Sequence, residues 1–359
     1  MKSHGANLFE LSREYNFKKD EILDFSSNVN PLGPSKLALE YLKENLNLVT
    51  TYPDPNYVDL KKSISCYVKV DSEDLVLGCG TTELLSGVIE AINPKKALLL
   101  APCYSEYEEE INKIKSNIIY YNLKEKDDFK IDVNKIISII DREDIELFVM
   151  ANPNNPTGTI LNSLEIKKIL DSTNSYVLVD ETYNEFTKKD FSSIGLYDEY
   201  EKLFIARGVS KFFASPGIRL GYGITKSKRL KEYFKNKNLI WNINIFAELM
   251  GSKMFEDSLY QKKVYEFIKK EREYVYNSLK DEKNLKIFKS YGNFILFKIL
   301  NNTSAKELRD ELLKNKMIIR DCSSFENLND KFFRICILNK EDNKKLVSAI
   351  REFLWTKNY

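Results

Sequence analysis

Histidine is nearly absent from this chain: 359 residues carry a single one, His4. A Ser-His-Asp or Cys-His nucleophile would have to use it, as would any His-bearing metal site, so neither class is expected and no metal is assigned. An excess of one charge is missing too. The 55 basic and 53 acidic residues leave a net charge of +2, which gives no reason to expect nucleic acid or an anionic membrane as partner. No apolar run approaches the roughly 18 to 20 residues needed to span a bilayer, and residues 1–7 contain no apolar signal core. The cysteines (Cys66, Cys79, Cys103, Cys322 and Cys336) are scattered and show no paired metal spacing, so reduced thiols in a cytoplasm are the expectation. Internal repeats and low-complexity tracts are also lacking.

What remains is ordinary globular composition, with 43% hydrophobic and 30% charged residues, on a chain long enough for two domains. The stretch before residue 22 reads as polar and irregular. Helical spacing follows over 37–46 and 58–68. From Leu75 onward, short apolar runs alternate with amphipathic segments. The runs at 75–77, 97–100, 118–121, 147–150, 176–179, 203–206 and 222–224 read as strands, and 82–92 and 163–170 as helices. That rhythm predicts an α/β fold, a mostly parallel seven-stranded-type sheet covered on both faces by helices. Beyond about residue 244 the pattern changes. A long helical stretch over 246–280, open to an interruption, precedes strands at 293–299 and 332–337 and helices at 304–314 and 341–354. The expected division is a large domain over 48–245, and a smaller α+β domain from 1–47 and 246–359.

Several loops at strand ends carry chemistry. After the run 203–206 comes Ser210-Lys211-Phe212-Phe213-Ala214-Ser215-Pro216-Gly217-Ile218-Arg219-Leu220-Gly221-Tyr222. A lysine there can form a Schiff base with an aldehyde when its surroundings favour the neutral amine. Ser210 and Arg219 suit a phosphate. An aldehyde bearing a phosphate describes pyridoxal 5'-phosphate. Alone, such a lysine is also what an ordinary surface position offers. The run 147–150 leads into Ala151-Asn152-Pro153-Asn154-Asn155-Pro156-Thr157-Gly158, a plain turn by composition or a loop whose Asn155 holds a ring oxygen. The run 176–179 ends in Asp180-Glu181-Thr182-Tyr183. Asp180 reads either as a helix N-cap or as the carboxylate that keeps a pyridine nitrogen protonated. Gly78-Cys79-Gly80-Thr81-Thr82-Glu83 joins a strand to a helix start suited to a phosphate. Tyr104 could stack on a flat ring or simply pack in the core. All these loops follow strands, so they share the carboxyl edge of the sheet, where ligands bind in such folds.

Taken together and in this order, these motifs resemble the pyridoxal-phosphate (fold type I, class I/II) aminotransferase superfamily over nearly the whole chain. The chain is most similar to the histidinol-phosphate aminotransferases and the threonine-phosphate decarboxylases. The resemblance implies that Lys211 carries the cofactor and moves protons, that Asp180 pairs with the pyridine nitrogen, and that Asn155 and Tyr183 contact the ring oxygen. Tyr104 would stack on the ring, while Gly80, Thr81, Thr82, Ser210 and Arg219 would hold the phosphate. Tyr52 would reach the phosphate of a neighbouring subunit, which implies a homodimer with shared sites. Arg334 matches the arginine that grips the substrate's carboxylate or phosphate. Position 208, usually Ser or Thr in the pattern, is Gly208, so one phosphate hydroxyl is missing. Cys79 and Thr182 also replace commoner residues.

The two subfamilies differ in which bond is broken. His4-Gly5-Ala6-Asn7, the loop from Asp24 to Pro34 with Asn30, Trp241 to Asn244, and Arg320-Asp321-Cys322 resemble the decarboxylase. There His4, Asn30, Arg320 and Arg334 would contact the substrate. Tyr104 and Tyr183 resemble the aminotransferase. The leading expectation is transamination of an amino acid or phosphorylated amine; the alternative is threonine-phosphate decarboxylation in cobalamin biosynthesis. A regulator built on this fold would need an added DNA-binding domain, and none fits before Asp24.

Overall fold

The apolar runs assemble into one seven-stranded sheet in the order Leu75–Gly78, Gly221–Ile224, Leu203–Gly208, Tyr176–Asp180, Leu147–Ala151, Lys96–Ala101, Asn117–Asn122. Only Gly221–Ile224 runs against its neighbours; the others are parallel, as the near-continuous burial of their residues requires. The edge strand Asn117–Asn122 is the exception, with no fully buried residue. This is a computed structural model that describes residues 7–237 and 240–356, and His4 lies outside them.

A second, antiparallel sheet is ordered Arg320–Asp321, Phe332–Cys336, Phe294–Ile299, Leu285–Ile287. The chain's beginning joins its end here, because Leu23–Asp24 pairs in parallel with Met317–Ile318. One continuous apolar core runs beneath both sheets.

One local expectation needs correction, and two others are completed. The stretch before residue 22 contains a helix, Leu8–Glu14, capped by the Asn7 side chain. None of its residues is buried, so no apolar face marked it. The helical stretch over 246–280 has the interruption left open for it: it is two helices, Ile245–Met254 and Ser258–Leu279, and the Asp257 side chain caps the second by accepting from Tyr260 N at 3.0 Å. The strands Leu23–Asp24, Leu285–Ile287, Met317–Ile318 and Arg320–Asp321 were not foreseen, since two or three residues are too few to show a period.

Candidate active site

The parallel strands end at one edge, where the segments after Gly78, Ala101, Ala151, Asp180 and Gly208 surround a cavity of about 270 Å³. Lys211 lies on its floor. The Nζ donates to Ser27 O at 2.7 Å. Burial, reinforced by the Arg334 charge, pushes its amine down to about 8. A lysine in that state is a usable nucleophile and base near neutral pH.

Asp180, fully buried at the end of its strand, also lines the cavity. Its Oδ2 accepts from Tyr107 OH at 2.8 Å, and its Oδ1 accepts from Thr182 N at 2.9 Å and Thr182 Oγ1 at 2.5 Å. Burial raises the carboxyl, and the donors from Thr182 and Tyr107 oppose that rise. These partners are all neutral, which leaves the carboxylate suited to a cationic group in the cavity.

A strap formed by residues 25–30 crosses between the two sheets. Cys336 N donates to Phe25 O, Arg334 Nη2 to Ser26 O at 2.6 Å, and Lys211 to Ser27 O. Asn28 Nδ2 reaches Tyr183 OH at 3.1 Å, and Asn293 holds Asn28 O at 2.9 Å. Phe25 to Asn28, and Asn30 through its N–H to Lys211 O, are thus tied to residues of the floor or of the antiparallel sheet.

Two arginines form the opposite wall. Arg334 and Arg320 are directly paired across antiparallel strands. Like charges set opposite one another are destabilising, so the pairing marks a place for anions. Arg334 is 5% exposed, and its Nε is buried without a partner. Its Nη1 donates to Asn155 Oδ1. Arg320 lies over the Phe325 ring at 5.4 Å and donates to Ser324 Oγ at 3.2 Å.

Across the cavity, the helix Thr81–Ile92 presents Thr81 and Thr82 at its N-terminus, facing Ser210 and Arg219. Unpaired N–H groups at a helix start favour an anion. A Cβ on Gly80 would lie 2.9 Å from Arg219 Cζ, so only glycine lets the guanidinium approach this turn. Nucleophilic amine, buried carboxylate and phosphate cradle therefore border one space, which fits the phosphate-bearing aldehyde anticipated from the motifs.

The sequence matches the aminotransferase class I and II family over residues 20–350. The chain belongs to that family. Among its relatives is a Caldanaerobacter subterraneus subsp. tengcongensis protein whose provisional name is threonine-phosphate decarboxylase, 36% identical over 97% of this chain and 93% of its own length. The crystal structure of histidinol-phosphate aminotransferase from Clostridium acetobutylicum superposes with a TM-score of 0.88 at 35% identity, over 93% of this chain and 100% of that one. The Sinorhizobium meliloti histidinol-phosphate aminotransferase in complex with pyridoxal 5'-phosphate shares the fold, with a TM-score of 0.88 at 18% identity over 99% of this chain and 96% of that one.

Of the site residues expected in this aminotransferase-family chain, the structure brings Lys211, Asp180, Tyr183, Asn155 and Tyr104 to the cavity. Thr81, Thr82, Ser210, Arg219, Arg320 and Arg334 line it too, with Gly80 directly behind Arg219. Two stand apart. Asn30, expected at the substrate, is turned away from the cavity. Its Nδ2 donates to Phe212 O at 2.9 Å and Tyr260 OH at 3.0 Å, and its Oδ1 accepts from Leu32 N. Tyr52 is 73% exposed and stacks on Trp241 at 4.2 Å, outside its own chain's cavity. Tyr107, Thr182, Asn28 and Phe325 were given no role from the sequence. Tyr107 sits three residues after Tyr104, one helical turn on, and that spacing was the available signal.

Proposed function

We propose that this protein is a pyridoxal 5'-phosphate-dependent aminotransferase acting on an amino acid or phosphorylated amine, similar to histidinol-phosphate aminotransferase. The observation that carries the proposal is the placement of Lys211 Nζ, Asp180 and the Arg320–Arg334 pair around one cavity. When bound, the cofactor supplies an aldehyde for amines and a ring that draws electrons from the bond broken at the substrate's α-carbon.

The chain's own residues do the rest. Lys211 Nζ would hold the cofactor and would take and return the α-proton. Asp180 would keep a proton on the ring nitrogen, Asn155 and Tyr183 would hold the ring oxygen, and Tyr104 would pack on the ring. Thr81, Thr82, Ser210 and Arg219 hold the phosphate. Arg334 and Arg320 would bind the substrate's anionic groups and so orient its α-carbon in the cavity. Threonine-phosphate decarboxylation is the second reading. It is favoured by the 36% identical relative and by the facing arginines, which would suit a substrate carrying both carboxylate and phosphate.

We also infer a homodimer with shared sites. Tyr52, Trp241, Ile240, Val49 and Leu46 are large apolar side chains left exposed in neighbouring segments, as an unpartnered interface would leave them. The division into domains 48–245 and 1–47 with 246–359 remains a proposal. So does a cytoplasmic location, to which free thiols are congenial; no described helix is long and apolar enough to cross a membrane.

The test incubates protein loaded with pyridoxal 5'-phosphate with O-phosphothreonine, and separately with histidinol phosphate plus 2-oxoglutarate, measuring carbon dioxide and glutamate. Glutamate without carbon dioxide is expected. Carbon dioxide without glutamate from O-phosphothreonine would replace the first reading by the second.

A further inference from the structure

Three glycines stand side by side at the ends of adjacent strands. Gly78 is paired with Gly221, and Gly221 with Gly208. Paired residues of neighbouring strands present their side chains on one face. The three therefore leave a bare row across the sheet beneath the first turn of the helix Thr81–Ile92.

The helix uses that bareness at each position. A Cβ on Gly78 would lie 2.8 Å from Leu84 Cγ, and a Cβ on Gly221 would lie 2.7 Å from Gly80 C and 2.8 Å from Thr81 N. A Cβ on Gly208 would fall well inside contact distance of Thr81 Oγ1, while its next neighbours, Thr81 Cβ and Leu220 O, are both 3.7 Å away. At position 208, then, the Thr81 hydroxyl alone fills the space a side chain would take. It does so on the wall of the cavity.

We infer that the Thr81 hydroxyl replaces the side-chain hydroxyl absent at position 208, and that Gly208 is required for it to do so. The anion cradle has room for one hydroxyl at this point. It comes here from the helix start and not from the strand end. Any side chain at 208 turns the Thr81 hydroxyl away by rotating χ1 or lifts the first turn off the glycine row. Gly208 thus acts through Thr81 as a positioning residue. The inference rests on the cofactor reading above for the identity of the anion, but the packing relation does not.

The test is a mutant cycle on apo-protein, with dissociation constants for pyridoxal 5'-phosphate and for inorganic phosphate as readouts. Thr81→Ala should weaken both ligands about tenfold to a hundredfold, the worth of one hydrogen bond to a charged group. Gly208→Ala should weaken them comparably although it deletes no polar atom. The double variant T81A/G208A should bind no worse than the weaker single variant, because both changes remove the same hydroxyl. T81A/G208S should regain most of the affinity, since serine restores a hydroxyl where Thr81 no longer obstructs it. Losses that multiply in T81A/G208A, wild-type binding by G208A, or no recovery in T81A/G208S would overturn the inference. Thermal unfolding separates this from failure of the cofactor reading. If wild-type apo-protein binds no pyridoxal 5'-phosphate, that reading fails. G208A should still unfold at lower temperature than wild type and T81A/G208A should recover part of the loss, and absence of that recovery would overturn the packing relation itself.

Discussion

Tyr107 OH donates to Asp180 Oδ2 at 2.8 Å, and both residues are buried and line the cavity. The phenol is one of two side-chain donors holding this carboxylate as an anion against burial; Thr182 is the other. Tyr107→Phe keeps the ring and deletes the donor, so the Asp180 carboxyl should rise further. The acid limb of the kcat/KM profile should move to higher pH, with kcat falling about tenfold to a hundredfold. An unmoved acid limb would show that the phenol only packs.

Asp180→Asn separates stability from function. The folded carboxyl is raised above its ordinary value by burial. As pH climbs through that interval the folded state holds more protons than the unfolded one, so stability contributed here is lost with rising pH. Removing the charge should leave apo-protein at pH 7 at least as stable as wild type, by thermal unfolding. Activity of the loaded protein should drop roughly a hundredfold or more, as when a preorganised electrostatic contact is deleted. Near-normal turnover would refute the role given to Asp180.

Lys211 titrates in the opposite sense. Its amine is lowered from 10.5 to about 8 by burial and then by the Arg334 charge. Between those values the unfolded chain holds more protons, so stability gained at this site grows as pH rises through the window. The neutral amine becomes available at the lower end. Uptake of pyridoxal 5'-phosphate by apo-protein, trapped with borohydride and located by mass spectrometry, should rise with a midpoint near pH 8 and be absent in Lys211→Ala. Label at another lysine would refute the assignment.

Asn30 anchors the floor without touching the cavity. Its backbone N–H donates to Lys211 O at 3.0 Å, and its side chain to Phe212 O. Asn30→Ala keeps the backbone bond but removes the side-chain donor to Phe212 O and Tyr260 OH and the acceptor of the Leu32 N–H, which should cost about 2 kcal/mol in denaturant unfolding. Because it loosens the lysine and no substrate group, kcat should fall while KM stays close to wild type. A rise in KM alone would return Asn30 to the substrate.

Tyr52 and Trp241 test assembly. If a second subunit covers their stacked rings, Tyr52→Ala should shift light scattering toward monomer or speed the loss of pyridoxal 5'-phosphate on dialysis. A wild-type protein that scatters as a monomer at assay concentration would remove the shared-site proposal.

The sequence by itself determined the large sheet and most of the cavity wall. Most of its strands were legible because buried parallel strands must be apolar nearly throughout, as Leu147–Ala151 is; the antiparallel Gly221–Ile224 and the half-buried edge strand Asn117–Asn122 were legible from their short apolar runs alone. Lys211, Asp180 and Asn155 were legible because the carboxyl ends of such strands converge, so chemistry placed after them must meet. Tertiary structure decided what local pattern cannot carry. Asn30 lies in the right loop, and only the fold shows its amide committed to Phe212 O and Tyr260 OH. Arg320 and Arg334 lie on consecutive strands joined by a loop. Their facing register follows from a two-residue strand that has no periodicity of its own. The same holds for Gly208 and Thr81. In the sequence Gly208 is a missing hydroxyl, whereas in the structure the space beside it is filled by the Thr81 hydroxyl from another element. Steric exclusion between residues distant in the chain exists only once the backbone has brought them together.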